Sequence, residues 1–184
     1  ILLVTQSLLW SLFPIVTILS NISVSPLYAG SIGIILSSLS FACILTINGT
    51  WKDLLFKAAW VDIGIATVLQ SVVFYGLAFT AIHHSTAGNI SIIGLMEVFF
   101  TYLFLGVILR KEPYTKTHAY GAACMVLGAL IVLLPGIRSL QVGDMFMVLA
   151  TMIAPIGNFF LKKARKSVSS ECAMFFRSLI GGFI

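Results

Sequence analysis

Charge is what this chain has least of. Only 9% of its 184 residues are charged, with 6 acids against 11 Lys and Arg, while 59% are hydrophobic. A soluble domain carries about 25% charge, so the composition excludes a water-soluble globular domain and makes the chain integral to a membrane. Cysteine is equally scarce. Cys43, Cys124 and Cys172 share no metal or redox spacing and lie in or beside apolar runs, so they read as small packing residues and no disulfide framework is implied. Of three histidines, His83 and His84 are adjacent in a turn and point in different directions, which argues against a metal site. The first segment lacks a basic n-region and a small-residue cleavage site, which argues against a signal peptide. The chain opens on Ile1 and stops inside an apolar run over 175–184 broken only by Arg177, as expected of a piece of a longer protein.

What is present is a series of long apolar runs. Six complete spans and the start of a seventh are predicted, over about 2–20, 27–47, 58–80, 86–109, 117–135, 143–161 and from 172 onward. The connecting segments are short, and none is long enough to hold a soluble domain. Their charges are unevenly shared. Lys52, Lys57, Arg110, Lys111, Lys116, Lys162, Lys163, Arg165 and Lys166 fall in the second, fourth and sixth linkers, against Arg138 alone in the first, third and fifth. The positive-inside rule places the even linkers and the N-terminus in the cytoplasm. The net charge of +5 therefore reports topology and contact with anionic lipid, and does not imply nucleic acid.

Against that apolar background Glu97 stands out, because it lies near the midpoint of the otherwise uncharged run 85–109. A carboxylate at mid-bilayer costs several kcal/mol unless it faces protein or water, so such a residue is a functional-site candidate by default. The alternative is a protonated Glu bonded to a neighbouring helix. Gln70 falls at similar depth in its own span and can both donate and accept. Trp10 and Pro14 occupy the same layer of the first span, where Pro14 frees the carbonyl of Trp10 and bends the helix. A bent helix with an exposed carbonyl can line a cavity, although proline is also common in membrane helices, and Pro155 and Asn158 pose the same choice in the sixth. For Gln70 an interhelical hydrogen bond of about 1 kcal/mol is the competing structural reading.

Other polar residues carry less. Asp62 lies one turn inside the cytoplasmic edge, where it can reach water or pair with Lys57 or a cation on the phosphate side. Asp144 and Glu112 are read as interfacial, with Glu112 answering Arg110, Lys111 or Lys116. Sequons beginning at Asn21, Asn48 and Asn89 are given no weight, since Asn48 is on the cytoplasmic side and Asn89 is close to the bilayer. The small residues Gly121, Ala122, Cys124, Gly128 and Ala129 are expected to form a packing seam in the fifth span.

A faint echo links Trp10–Pro14 and the following SPLYAGSIGIILSSL to Pro155–Asn158 and the following SSECAMFFRSLIGGF, about 145 residues later. If the sixth span repeats the first, each unit has five helices, and an odd number inverts the second copy. The stretch FYGLAFTAIHHSTAGNISIIGLMEVFFTYLFLGVILRKEP, followed by YGAACMVLGALIVLLPG, resembles the first half of an EamA-type protein of the drug/metabolite transporter superfamily. Trp10, Ser11 and Pro14 resemble that family's first-helix Trp-Gly-x-x-x-Pro region, and Gly143-Asp144 the start of its second repeat. Arg177 resembles an Arg at the head of the second helix of each repeat. The chain departs from the pattern at Ile32 or Gly33, where the first repeat would carry that Arg, and at Val98, where a Pro often follows the acid.

The resemblance implies an all-α polytopic transmembrane helix bundle: a five-helix repeat over 1–136, then the start of an inverted second repeat over 137–184. It implies a secondary transporter in a bacterial plasma membrane, moving a small polar or amphipathic metabolite or drug. Glu97, Gln70, Trp10, Pro14 and Asn158 are its candidate substrate-binding residues, and Glu97 is its candidate coupling site for a proton or ion. No cofactor is expected, and pairing with a second copy of the chain stays open. A non-transporting membrane scaffold is one alternative. An intramembrane enzyme is another, but proteolysis needs two acids at one depth or a nucleophile with a His partner. Here one acid lies at depth, with histidines (the third is His118) only at membrane edges, so an enzyme would need partners from outside this chain.

Overall fold

The computed structural model describes residues 26–110, 115–133 and 141–183, together with Thr5, Leu8, Leu12 and Ile15. Those four positions of the first predicted span are helical and exposed. Trp10, Pro14, Glu112 and Arg138 lie outside the described residues. Every regular element among the described residues is helical. Helix α1 is Pro26–Asn48, α2 Lys57–His83, α3 Ala87–Ile108, α4 Lys116–Leu133, α5 Val142–Ala164 and α6 Ser170–Gly182. Among them α1 (from Tyr28), α2, α3 and α5 are long and apolar enough to cross a membrane. Their ends fall within three residues of the predicted edges.

Local sequence explains most of these boundaries. Pro26 opens α1, where its missing N–H costs nothing. Asn48 closes it, and left-handed Gly49 turns the chain into a short 3₁₀ helix, Thr50–Leu55, that leads to α2. Thr86 caps α3 by accepting from the backbone N–H of Asn89 at 3.3 Å. A reciprocal pair of bonds between Gln141 and Asp144 caps α5. Two helices depart from regular geometry. Both α2, over Val68–Phe74, and α3, over Tyr102–Ile108, widen into π-helical turns. Such wide turns are rare and are found frequently at functional sites.

Large apolar side chains such as Tyr28, Ile32, Leu36 and Leu39 of α1, and Leu127, Leu130 and Ile131 of α4, are exposed, as lipid-facing residues are in a membrane bundle. The interior divides into two apolar clusters. At the end away from the lysines, Phe74, Ala78, Phe79 and Ile82 of α2 meet Ile90 and Ile93 of α3 and Met147, Ala150 and Ala154 of α5. At the lysine-bearing end, Leu45 of α1, Ile63 and Ala66 of α2, Leu161 and Ala164 of α5, and Cys172 and Ala173 of α6 pack together. Residues 67–73 of α2 and 155–160 of α5 lie between the clusters, and that gap is where the polar side chains gather.

One expectation about packing needs correction. Gly121 and Gly128 have no described atom within 4 Å of where a Cβ would stand, and Cys124 is exposed, so on α4 only Ala122 and Ala129 face inward. Among the close approaches made by glycines of other helices are those of Gly157 of α5 and Gly181 of α6. A Cβ on Gly157 would stand 2.5 Å from Gln70 Cγ, and one on Gly181 would collide with Ser71 Cβ. Both seams grip the π-helical turn of α2. Of the partners open to Asp62, the structure supplies a cation: Lys163 of α5, at 2.9 Å, delivered by the neighbouring helix end.

Candidate functional site

Four side chains from four helices form one continuous hydrogen-bonded relay between the apolar clusters. Arg177 of α6 donates from Nη1 to Gln70 Oε1 at 2.6 Å. Gln70, on the π-helical turn of α2, donates from Nε2 to Asn158 Oδ1. Asn158 of α5 donates from Nδ2 to Glu97 Oε1 of α3 at 2.9 Å. The structure thus brings together Glu97, Gln70 and Asn158 from the predicted set.

The direction of the relay follows from chemistry. A guanidinium only donates, so Gln70 must turn its oxygen to Arg177 and its nitrogen to Asn158. Asn158 must then accept from Gln70 and donate onward, which leaves Glu97 as the terminal acceptor. Every bond points from the cation towards the acid. The two ends differ in access. Gln70 is 6% exposed, and Arg177 Nε is buried with no hydrogen-bond partner among the described residues. Asn158 is exposed and Glu97 half-buried. The guanidinium end is closed and the acid end is open.

Backbone geometry sets this arrangement. Gly157 lets the α5 backbone lie against Gln70, placing the adjacent Asn158 within reach of both Gln70 and Glu97. Pro155 removes one amide donor in the turn before, freeing the carbonyl of Thr151. On the other flank, Ser71 Oγ donates to the Arg177 carbonyl at 3.4 Å across the Gly181 contact, tying α6 to the same turn. The assignment of Arg177 to this site was not among the predicted contacts. Its signal was the isolation of one cation in the apolar run 175–184, but a single helix gives no sign of which neighbour it will face.

Two further polar clusters bind the ends of α5. At one end the Asp144 carboxylate, 3% exposed, accepts from Ser85 Oγ, from Asn89 Nδ2 at 3.2 Å and from the Gln141 backbone N–H at 2.9 Å. Asp144, read from the sequence as interfacial, is thus also buried in protein, where three polar residues, Ser85, Asn89 and Gln141, converge on it. The Asn89 amide, part of a sequon, is used as a donor in this contact. At the lysine-bearing end Lys163 meets Asp62, Asp53 Oδ2 accepts from the Ser169 N–H at 2.8 Å, and Asn48 donates to Glu171 at 3.3 Å.

With this geometry in place the kinship of the chain becomes informative. No solved structure matches it. An uncharacterized transporter of Synechocystis sp. is 22% identical over 139 residues, covering 71% of this chain and 40% of the relative, so the chain spans well under half of that protein's length. The EamA-like transporter family matches residues 1–134, which include α1 to α4 and both Gln70 and Glu97. This chain belongs to the EamA-like transporter family and is built as an all-α polytopic membrane helix bundle.

Proposed function

We propose that the chain is the substrate-handling part of a secondary transporter, rather than an enzyme, and that Glu97 is the residue that couples transport to a proton. The relay is the observation that carries this reading. An acid, two amides and a guanidinium occupy the layer between two apolar clusters, and the exposed Asn158 gives the acid end an open side. Polar groups at this depth are tolerated where they face protein or a watered path. The cargo that suits them is a small polar or amphipathic metabolite, able to exchange hydrogen bonds with amide groups while its apolar part faces the clusters.

The partition of the relay supports an alternating-access mechanism. Glu97 and Gln70 lie in the unit proposed over 1–136, whereas Asn158 and Arg177 lie in the unit that follows it over 137–184. A site shared between inverted units is where rocking of one against the other exposes it to each side in turn. The nine-to-one distribution of basic linker residues supports a cytoplasmic N-terminus, in a bacterial inner membrane.

The test is Glu97→Gln in the full-length protein, reconstituted in proteoliposomes. Gln keeps the side-chain volume and its oxygen still accepts from Asn158, so the fold is expected to hold while pH-gradient-driven flux is lost. Proton-driven flux at the wild-type rate would refute the coupling role.

A further inference from the structure

We infer that Gln70 and Asn158 act as a two-amide switch, through which protonation of Glu97 releases Arg177 from its contact with α2. The inference rests on the reading of Glu97 as a proton-binding site. With Glu97 ionised, the donor-only guanidinium and the acceptor-only carboxylate fix both amides in one orientation. Protonation changes one end. A proton added at Glu97 Oε1, the oxygen that accepts from Asn158, sets a donor against a donor, and the contact re-forms when the amide turns its oxygen towards the acid.

The consequences run along the chain of contacts. Once Asn158 has turned, its Nδ2 faces Gln70 Nε2, and two donors cannot bond. Gln70 must turn as well, which presents its Nε2 to Arg177 Nη1. That pair is again two donors, so Arg177 disengages. Each amide rotates about its terminal torsion, and no proton travels along the relay. The one proton taken up stays on Glu97. The reversed network is as complete as the original from Glu97 to Gln70, but it exists only with the guanidinium released. This makes the pair a bistable element that a proton at one helix biases and a cation on another reports.

Few other charges face this layer. Along α2 and α5 the nearest are Asp62, Lys162 and Lys163 at one end and Asp144 at the other. Helix α4 carries only Lys116 and His118 near its start. Arg177 is the cation that shares the layer with Glu97, so the proton and the guanidinium are joined chiefly through the two amides. Disengagement removes the side-chain contact of Arg177 with the π-helical turn of α2, leaving the bond from Ser71 Oγ to the Arg177 carbonyl as the tie between α6 and that turn.

The decisive experiment follows Arg177 directly. In full-length protein labelled with ¹⁵N-arginine and ¹³C-glutamate, the guanidinium signals of Arg177, assigned by Arg177→Lys, are recorded through a pH titration. The Glu97 carboxyl signal, assigned by Glu97→Gln, is recorded alongside. The expected result is that the Arg177 signals shift with the same midpoint as Glu97, and that Glu97→Gln abolishes the shift. In Asn158→Ala the Glu97 signal still titrates but Arg177 no longer responds. Gln70→Met, which preserves length and breaks the relay at the other amide, gives the same loss if the first variant folds poorly. An Arg177 signal that ignores the Glu97 titration, or that still follows it in Asn158→Ala and Gln70→Met, overturns the switch. Because no transport is measured, a switch that works in a protein lacking proton-driven flux would refute only the transport reading.

Discussion

Gly157 shows how narrowly the site is built at the scale of single residues. Its missing side chain leaves room for Gln70 to cross the α2–α5 seam, and a methyl group there would stand 2.5 Å from Gln70 Cγ. The neighbour is a flexible stem rather than backbone, so the helices need not separate. Gln70 must shift instead, and it carries two bonds of the relay with it. Gly157→Ala is accordingly expected to cost about 1–3 kcal/mol, the range for overpacking, and to weaken transport more than it weakens the fold. Chemical denaturation in detergent measures the first effect and flux in proteoliposomes the second. A variant with wild-type flux would show that the Gln70 contact is dispensable.

The same scale shows what could be read from the residues alone. Glu97 and Gln70 were visible because polar groups in apolar runs announce themselves, and their similar depth followed from counting residues along two spans. Asn158 was visible for the same reason. That Asn158 stands between the other two was not, because periodicity gives no azimuth to helices whose faces are all apolar. Which cation meets Asp62 was open for a related reason. Sequence proximity names Lys57 as one choice, and only the packing of α5 on α2 places Lys163 at 2.9 Å.

At the scale of the element, α5 organises the bundle. It lies against α2 and α3, supplies the centre of the relay, and is tied down at both ends. Its first N–H groups find partners outside the helix: the His84 carbonyl accepts from Gly143, and the buried Asp144 carboxylate accepts from Gln141 while also holding the turn at Ser85 and Asn89. Asp144→Asn is the informative change. It keeps the shape, removes the negative charge, and sets an NH₂ group among donors that have lost an acceptor. Hydrogen bonds to charged groups are worth about 1.5–3 kcal/mol each, with partial compensation from the remaining oxygen. A loss of about 2 kcal/mol is expected in detergent unfolding, with the relay retained. An unchanged midpoint would mean that the cluster is not a structural tie. The capping pattern at Gln141–Asp144 was legible in principle, since polar residues at N-cap and N3 precede an apolar run. The π-helical turns of α2 and α3 were not, because the sequence of such a turn differs little from that of the α-helix around it.

For the whole molecule the two ties on α5 acquire a mechanical meaning. If the units rock about the relay, the tie at Asp144 and the tie at Lys163 lie on opposite sides of the fulcrum, and each outward movement must break one of them. The Lys163–Asp62 pair suits that role because it is cheap to open. Lys163 is 57% exposed and Asp62 13%, so solvent screening holds the pair near 1 kcal/mol or below. That value barely affects the fold. It is nonetheless enough to shift a two-state population by about fivefold, since each 1.4 kcal/mol is a factor of ten. Removing the pair with Asp62→Asn should therefore leave the melting temperature almost unchanged and increase the fraction open at the lysine-bearing end. Thr67→Cys, fully buried in the closed arrangement and one turn from Gln70, serves as the reporter in a background without Cys43, Cys124 and Cys172. Its reaction with a membrane-impermeant thiol reagent added from the lysine-bearing side is expected to speed up by about fivefold in the Asp62→Asn protein. Restoring the pair in reverse, with Asp62→Lys and Lys163→Asp together, should return the rate to its original value. Equal rates in all three proteins would mean that this end of α5 does not open during transport, and the fulcrum would have to be sought elsewhere in the bundle.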